Sequence, residues 1–94
     1  MAASKVELGF VLEPSPLYTA RLAAKLEDLG FDLVLCPDTQ NLCADPYSQL
    51  ALAGAATKRL RLGTGVTNPL TRDAAVTASA FATLQMETGG RAIC

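Results

Sequence analysis

A chain of 94 residues, half of them apolar, with 18% charged side chains and a net charge of -1, has the composition of a packed unit and excludes a disordered tail. Its eight lysines and arginines are scattered, only residues 58–61 approaching a cluster, so no basic stripe for nucleic acid is present. No stretch approaches the ~18 apolar residues of a membrane span, no signal-peptide core is visible, and three cysteines without histidine or a CxxC pair complete no zinc site; a cytoplasmic protein with reduced thiols is expected.

Residues 6–12 form a short apolar run closed by Glu13 and Pro14, which suits a buried strand. Ser15 and Pro16 supply a capping hydroxyl and a first-turn proline. Leu22, Leu26 and Leu29 then recur at helical spacing, predicting a helix over residues 16–29 ended by Gly30. A second apolar run at 31–36, closed by Pro37 and Asp38, reads as strand two. Asp45 and Pro46 open a second helix running to about residue 57, with Tyr47, Leu50, Ala51 and Gly54 on one stripe. Residues 60–66 form the third strand, whose Gly63, Thr64 and Gly65 mark a bend or a close approach. Asp73 caps a third, alanine-rich helix through about residue 87 that carries Val76, Phe81 and Leu84. Gly89 and Gly90 end it, and residues 91–94 begin a fourth apolar run.

Strand starts near residues 6, 33, 60 and 91 with one helix between each pair give the βαβ rhythm of a parallel sheet, so the fold class is α/β. Spacing alone does not separate a barrel from a doubly wound sheet. In either, sites form beyond the carboxyl ends of the strands, which directs attention to Glu13, to Asp38 with Thr39 and Gln40, and to residues 65–68. Each has an ordinary explanation as well: Asp38 as an Asx turn, Glu13 as a solvated loop acid. The Gly63 and Gly65 pair is no dinucleotide fingerprint, since it follows the third strand and the pattern's last position is Asn68. Cys36 and Cys43 lack any histidine to serve as a base for a thiol nucleophile.

The strings LEDLGFDLVLCPD and DPYSQLALAGAATKRLRLGTGVTNPLTRDAAVTASAFATLQMETGGRAI resemble the N-terminal part of the luciferase-like monooxygenase superfamily. Within it they are most similar to the coenzyme F420-dependent, methylenetetrahydromethanopterin reductase-like branch. The most specific piece runs over residues 61–69. The resemblance implies a (β/α)₈ TIM barrel with its cofactor ring at the carboxyl ends of the strands. It further implies a non-prolyl cis bond between Gly65 and Val66 in a bulge that backs the ring, so Gly65 and Val66 become cofactor-binding residues. Asn68 corresponds to a polar position touching the cofactor, and Asp38 to an acid that lines the site. Thr39 stands where several relatives carry histidine, and its hydroxyl is no substitute as a general acid near neutral pH.

The implied activity is hydride transfer between coenzyme F420, with FMN as the alternative cofactor, and a small-molecule substrate. The other readings are an FMN-dependent monooxygenase and a non-catalytic half-barrel that serves interaction. A whole barrel needs about 250 residues. Residues 1–94 are therefore expected to be one partial barrel domain, three βα units plus the start of strand four, inactive in isolation. Its unpaired sheet edge and uncovered apolar face lead to the expectation of a homo-oligomer.

Overall fold

The computed structural model describes residues 6–67 and 70–93. The elements alternate as β1 (Gly9–Val11), α1 (Thr19–Asp28), β2 (Leu33–Cys36), α2 (Pro46–Ala56), β3 (Arg61–Thr64), α3 (Ala74–Glu87) and β4 (Ala92–Ile93). The four strands lie in the order β1-β2-β3-β4 and every pairing is parallel. Register puts Phe10, Val34, Leu62 and Ala92 in one row and Val11, Leu35, Gly63 and Ile93 in the next. Because side chains alternate across a strand, the two rows face opposite sides. Val34 and Leu62 of the first row belong to the core, together with Ala23, Leu26, Leu50, Ala53 and Leu84 of the helices, whereas β1, expected to be a buried strand, is exposed along its length at the edge of the sheet. On the other face Val11 is 64% exposed, and no helix of the described residues covers it.

Strands and helices fall where composition places them, with shorter strands and one displaced boundary. Helix α1 begins at Thr19 and not at Pro16, because Leu17 adopts a left-handed φ of 72° that interrupts the helical run. The buried Thr19 hydroxyl accepts from the Ser15 N–H at 2.7 Å and donates to the Ser15 carbonyl at 3.0 Å, so a compact turn precedes the helix. The buried stripe of α1 is Thr19, Ala23, Leu26 and Glu27, whereas Leu22 and Leu29, expected inside, are exposed. Helix α1 packs on α2, and the small Ala23 and the inward Glu27 set its rotation. In α2 the buried residues are Pro46, Leu50, Ala53 and Gly54, with Ala51 outside; in α3 they are Phe81 and Leu84, with Val76 outside. The caps match: Asp45 accepts from the Ser48 N–H at 2.9 Å and Asp73 from the Ala75 N–H at 3.1 Å. Gly63 serves close approach, since a Cβ there would stand 2.2 Å from the Ile93 carbonyl oxygen.

Two charged side chains lock the amino ends of the strands. The buried Glu27 carboxylate accepts from the backbone N–H groups of Lys58 at 3.1 Å, Arg59 at 2.8 Å and Leu60 at 2.7 Å. Burial pushes its pKa up, but these backbone donors and the Arg59 charge outweigh burial and hold it below the usual glutamate value. The Arg91 guanidinium donates to the carbonyls of Gly54 at 2.9 Å, Thr57 at 3.2 Å, Leu60 at 2.9 Å and Thr88 at 3.0 Å. It thereby satisfies acceptors at the end of α2 that the helix itself leaves open.

Candidate functional site at the carboxyl ends of the strands

At the opposite end of the sheet, β2 and β3 continue into two loops that touch. The Gly65 N–H donates to the Cys36 carbonyl at 2.9 Å, and the Asp38 N–H donates to the Val66 carbonyl at 3.2 Å. Between these two rungs lies the peptide bond from Gly65 to Val66, which is cis. Gly65 presses on β2: a Cβ there would stand 2.8 Å from the Leu35 Cβ, so only glycine fits. The Val66 side chain, by contrast, is 78% exposed.

Asp38 is 6% exposed and organises this region from beneath. One carboxylate oxygen accepts from the Thr67 hydroxyl at 2.9 Å and from Arg72 Nε at 2.8 Å. The other accepts from the Gln40 side-chain amide at 2.7 Å. Burial raises the Asp38 pKa, yet the hydrogen bonds from Arg72, Thr67 and Gln40 and the charge of Arg72 together bring it below the ordinary aspartate value. Arg72 also donates to Asp45 Oδ1 at 2.6 Å, reaching the acid that caps α2, and its guanidinium lies 4.5 Å from the centroid of the Tyr47 ring. The hydrogen bonds to Asp38 and Asp45 keep Arg72 protonated. Tyr47 donates its hydroxyl to Thr67 Oγ1 at 3.3 Å and meets Phe81 of α3 edge to face, with 5.4 Å between ring centroids. Beside the network lies a cleft of about 250 Å³ lined by Asp38, Thr39, Gln40, Cys43, Asp45 and Arg72 among others. The Cys43 thiol donates to Glu13 at 3.6 Å, and burial followed by the Glu13 hydrogen bond raises its pKa.

Three of the four expected cofactor-binding residues, Asp38, Gly65 and Val66, thus come together at one end of the sheet, while Asn68 lies outside the described residues. Thr39 is exposed at the cleft. Asp38, held ionised, is no proton donor, and Arg72, held protonated, is no base. What the arrangement provides is a hydrogen-bonded floor, two carboxylates sharing one guanidinium, beside an exposed apolar side chain. Sequence reasoning missed Arg72 and Tyr47, and took in Thr67 only as part of residues 65–68 without assigning it a role. Arg72 stood among scattered charges, although its place directly before the capping Asp73, in the loop after strand three, already put it at the same end as Asp38. Tyr47 was assigned only to the apolar stripe of α2.

Among the described residues no cluster of histidine, cysteine, aspartate and glutamate could hold a metal ion, and no helix is long and apolar enough to cross a membrane. Comparison with known families matches residues 2–94 to the luciferase-like monooxygenases. The chain belongs to this family. It is 45% identical over 86 residues to the 5,10-methylenetetrahydromethanopterin reductase of Methanolobus tindarius, covering 92% of this chain and 26% of that protein. It is 40% identical over 95 residues to the reductase of the same name from Methanopyrus kandleri, covering 96% of this chain and 26% of the relative. The solved structure of the coenzyme F420-dependent tetrahydromethanopterin reductase of Methanopyrus kandleri superposes with a TM-score of 0.88 at 38% identity, over 96% of this chain and 26% of that one. Monooxygenase RslO1 of Streptomyces bottropensis superposes with a TM-score of 0.80 at 28% identity, over 93% and 31% of the respective chains. The family chain described here therefore spans about a quarter of the two reductases, 26% of each. Its parallel βα units are those of the N-terminal part of a (β/α)₈ barrel.

Proposed function

We propose that the protein carrying this chain is an oxidoreductase that transfers hydride between coenzyme F420 and a small organic substrate, with the deazaflavin ring resting against Gly65 and Val66. The observation that carries the reading is the exposed Val66, set on a backbone that two inter-strand hydrogen bonds fix at the carboxyl ends of the strands. A flat, largely apolar ring fits such a surface, and the two reductases similar to this chain support the choice of deazaflavin. When bound, the deazaflavin supplies the carbon that takes up and gives back hydride. The chain's own residues contribute position. Gly65 and Val66 shape the backing surface, and Asp38 keeps the loops after β2 and β3 in register beneath it. Asn68 is proposed to add a polar contact to the cofactor. Described residues at the site supply no group poised to move a proton, which suits hydride transfer better than acid-base chemistry.

A second reading, an FMN-dependent monooxygenase, draws on the likeness to monooxygenase RslO1. A cytoplasmic homo-oligomer is part of the proposal. The deciding experiment is to purify the protein from its source cells and identify the retained chromophore by absorption and mass. Deazaflavin that stays reduced in air supports the reading. Bound FMN that is rapidly reoxidised by oxygen replaces it with the monooxygenase.

A further inference from the structure

We infer that Arg72 is the positioning residue for residues 65–67, and that the placing of the cofactor surface depends on it although its side chain is directed into the protein. The side chain of Arg72 is 17% exposed and that of Asp38 fully buried, so their ion pair is shielded from water and salt. Four side chains close a ring. Arg72 donates to Asp38 at 2.8 Å, Thr67 donates to the same Asp38 oxygen at 2.9 Å, Tyr47 donates to Thr67 at 3.3 Å, and the Tyr47 ring lies under the Arg72 guanidinium at 4.5 Å.

The ring has one connection to each element around the site. Asp38 follows β2, Thr67 follows β3, Tyr47 lies in the first turn of α2, and Arg72 precedes α3. Its tie to the backbone is the bond from the Asp38 N–H to the Val66 carbonyl. Removing the guanidinium leaves the buried Asp38 charge without its cation. The carboxylate must then be hydrated or protonated, and either response moves the loop that carries it. Lysine does not replace this arginine, because one ammonium cannot bond Asp38, reach Asp45 and sit over the Tyr47 ring together, as the Nε, Nη2 and guanidinium carbon of Arg72 do.

The inference rests on the proposed place of the cofactor, and two readouts keep the two separable. In the protein as produced from its own gene, free of cofactor, amide hydrogen exchange at Asp38 is measured in Arg72→Met and Arg72→Lys, with the Leu60 amide as the internal reference. Exchange at Asp38 is expected to rise about tenfold in Arg72→Met, the order of change that loss of one charge-assisted hydrogen bond produces, while Leu60 stays unchanged. The dissociation constant for coenzyme F420 is then expected to rise by about tenfold or more in Arg72→Met, with Arg72→Lys between it and the parent. Tyr47→Phe, which interrupts the ring at its neutral hydrogen bond, and Thr67→Val, which also removes one donor to Asp38, provide folded variants should Arg72→Met not fold. Asp38 exchange that stays at the parent rate in variants that fold overturns the inference. Faster exchange with undiminished F420 affinity overturns the link from Arg72 to the cofactor surface. Faster exchange in the variants of a parent that itself binds no F420 supports the positioning role and removes the proposed cofactor.

Discussion

The two ends of this sheet are both held by a buried acid and an arginine, and they are built differently. At the amino ends, Glu27 and Arg91 bond almost entirely to backbone amides and carbonyls of other elements. At the carboxyl ends, Asp38 and Arg72 bond to side chains, and a backbone rung ties the loops together. Backbone groups left unpaired inside a protein are costly, so breaking the network at the amino ends should lower stability. The network at the carboxyl ends leaves little backbone behind if it is broken. Its product is geometric: it sets Val66 in an exposed position beside a hydrogen-bonded floor. Substitutions should therefore separate stability from binding according to the end they touch.

The largest effect on stability is expected from Glu27→Ala, which orphans three amide donors, that of the buried Leu60 among them. Its unfolding free energy, measured by urea denaturation, should fall by about 4 kcal/mol, and that of Glu27→Gln by roughly half as much. Arg91→Met should cost about 2 kcal/mol, less because water reaches the half-buried site and rehydrates some carbonyls. If either variant lost cofactor affinity without losing stability, the division between the two ends would fail.

A pH titration of stability sharpens the comparison. Glu27 and Asp38 both have folded pKa values below their ordinary ones, so the unfolded chain binds more protons in acid. Their contribution is present above the unfolded carboxylate range and disappears as pH falls below about 4. Stability curves of parent and Glu27→Gln should therefore converge in acid, and Asp38→Asn should flatten the same limb. A parallel offset at every pH would mean that the Glu27 carboxylate is not specially stabilised.

The smallest effect concerns the thiols. Burial, followed by the nearby Cys43, pushes Cys36 up to about 11, so alkylation near neutral pH should leave it unmodified until the protein unfolds. The half-buried Cys43 in the cleft should react before Cys36. Arg72→Met should speed Cys43 by about threefold at most and leave Cys36 unchanged, a difference that peptide mass mapping detects.

The amino-acid order revealed the fold nearly in full because each boundary carries its own chemistry. Asp45 with Pro46, and Asp73, cap helices as their types require, and Gly30, Gly89 and Gly90 take the positive φ values that end them. The Gly63 and Gly65 pair pointed to close approach, and the Ile93 carbonyl and Leu35 are what approach. The start of α1 was not legible. Ser15 and Pro16 carry a proper start signal, and a left-handed Leu17 with the Thr19 hydroxyl overrides it. Glu27 was invisible for a related reason: a glutamate on a helix normally faces solvent, and only the tertiary meeting with the start of β3 gives it three donors. Strand-end reasoning and family resemblance singled out Asp38, Gly65 and Val66, which the fold brings together. The partners of Asp38 come from loops and helices that sequence spacing does not bring together.

The central claim, that the exposed surface at Val66 is the cofactor's seat and the opposite end serves the fold, is tested most directly by titrating coenzyme F420 into the parent, Val66→Asp and Glu27→Gln forms of the protein as produced from its own gene. The account predicts an affinity about tenfold or more weaker in Val66→Asp at unchanged thermal stability, and a Glu27→Gln form that melts earlier yet binds within about twofold of the parent. Equal affinities for the parent and Val66→Asp forms would contradict it.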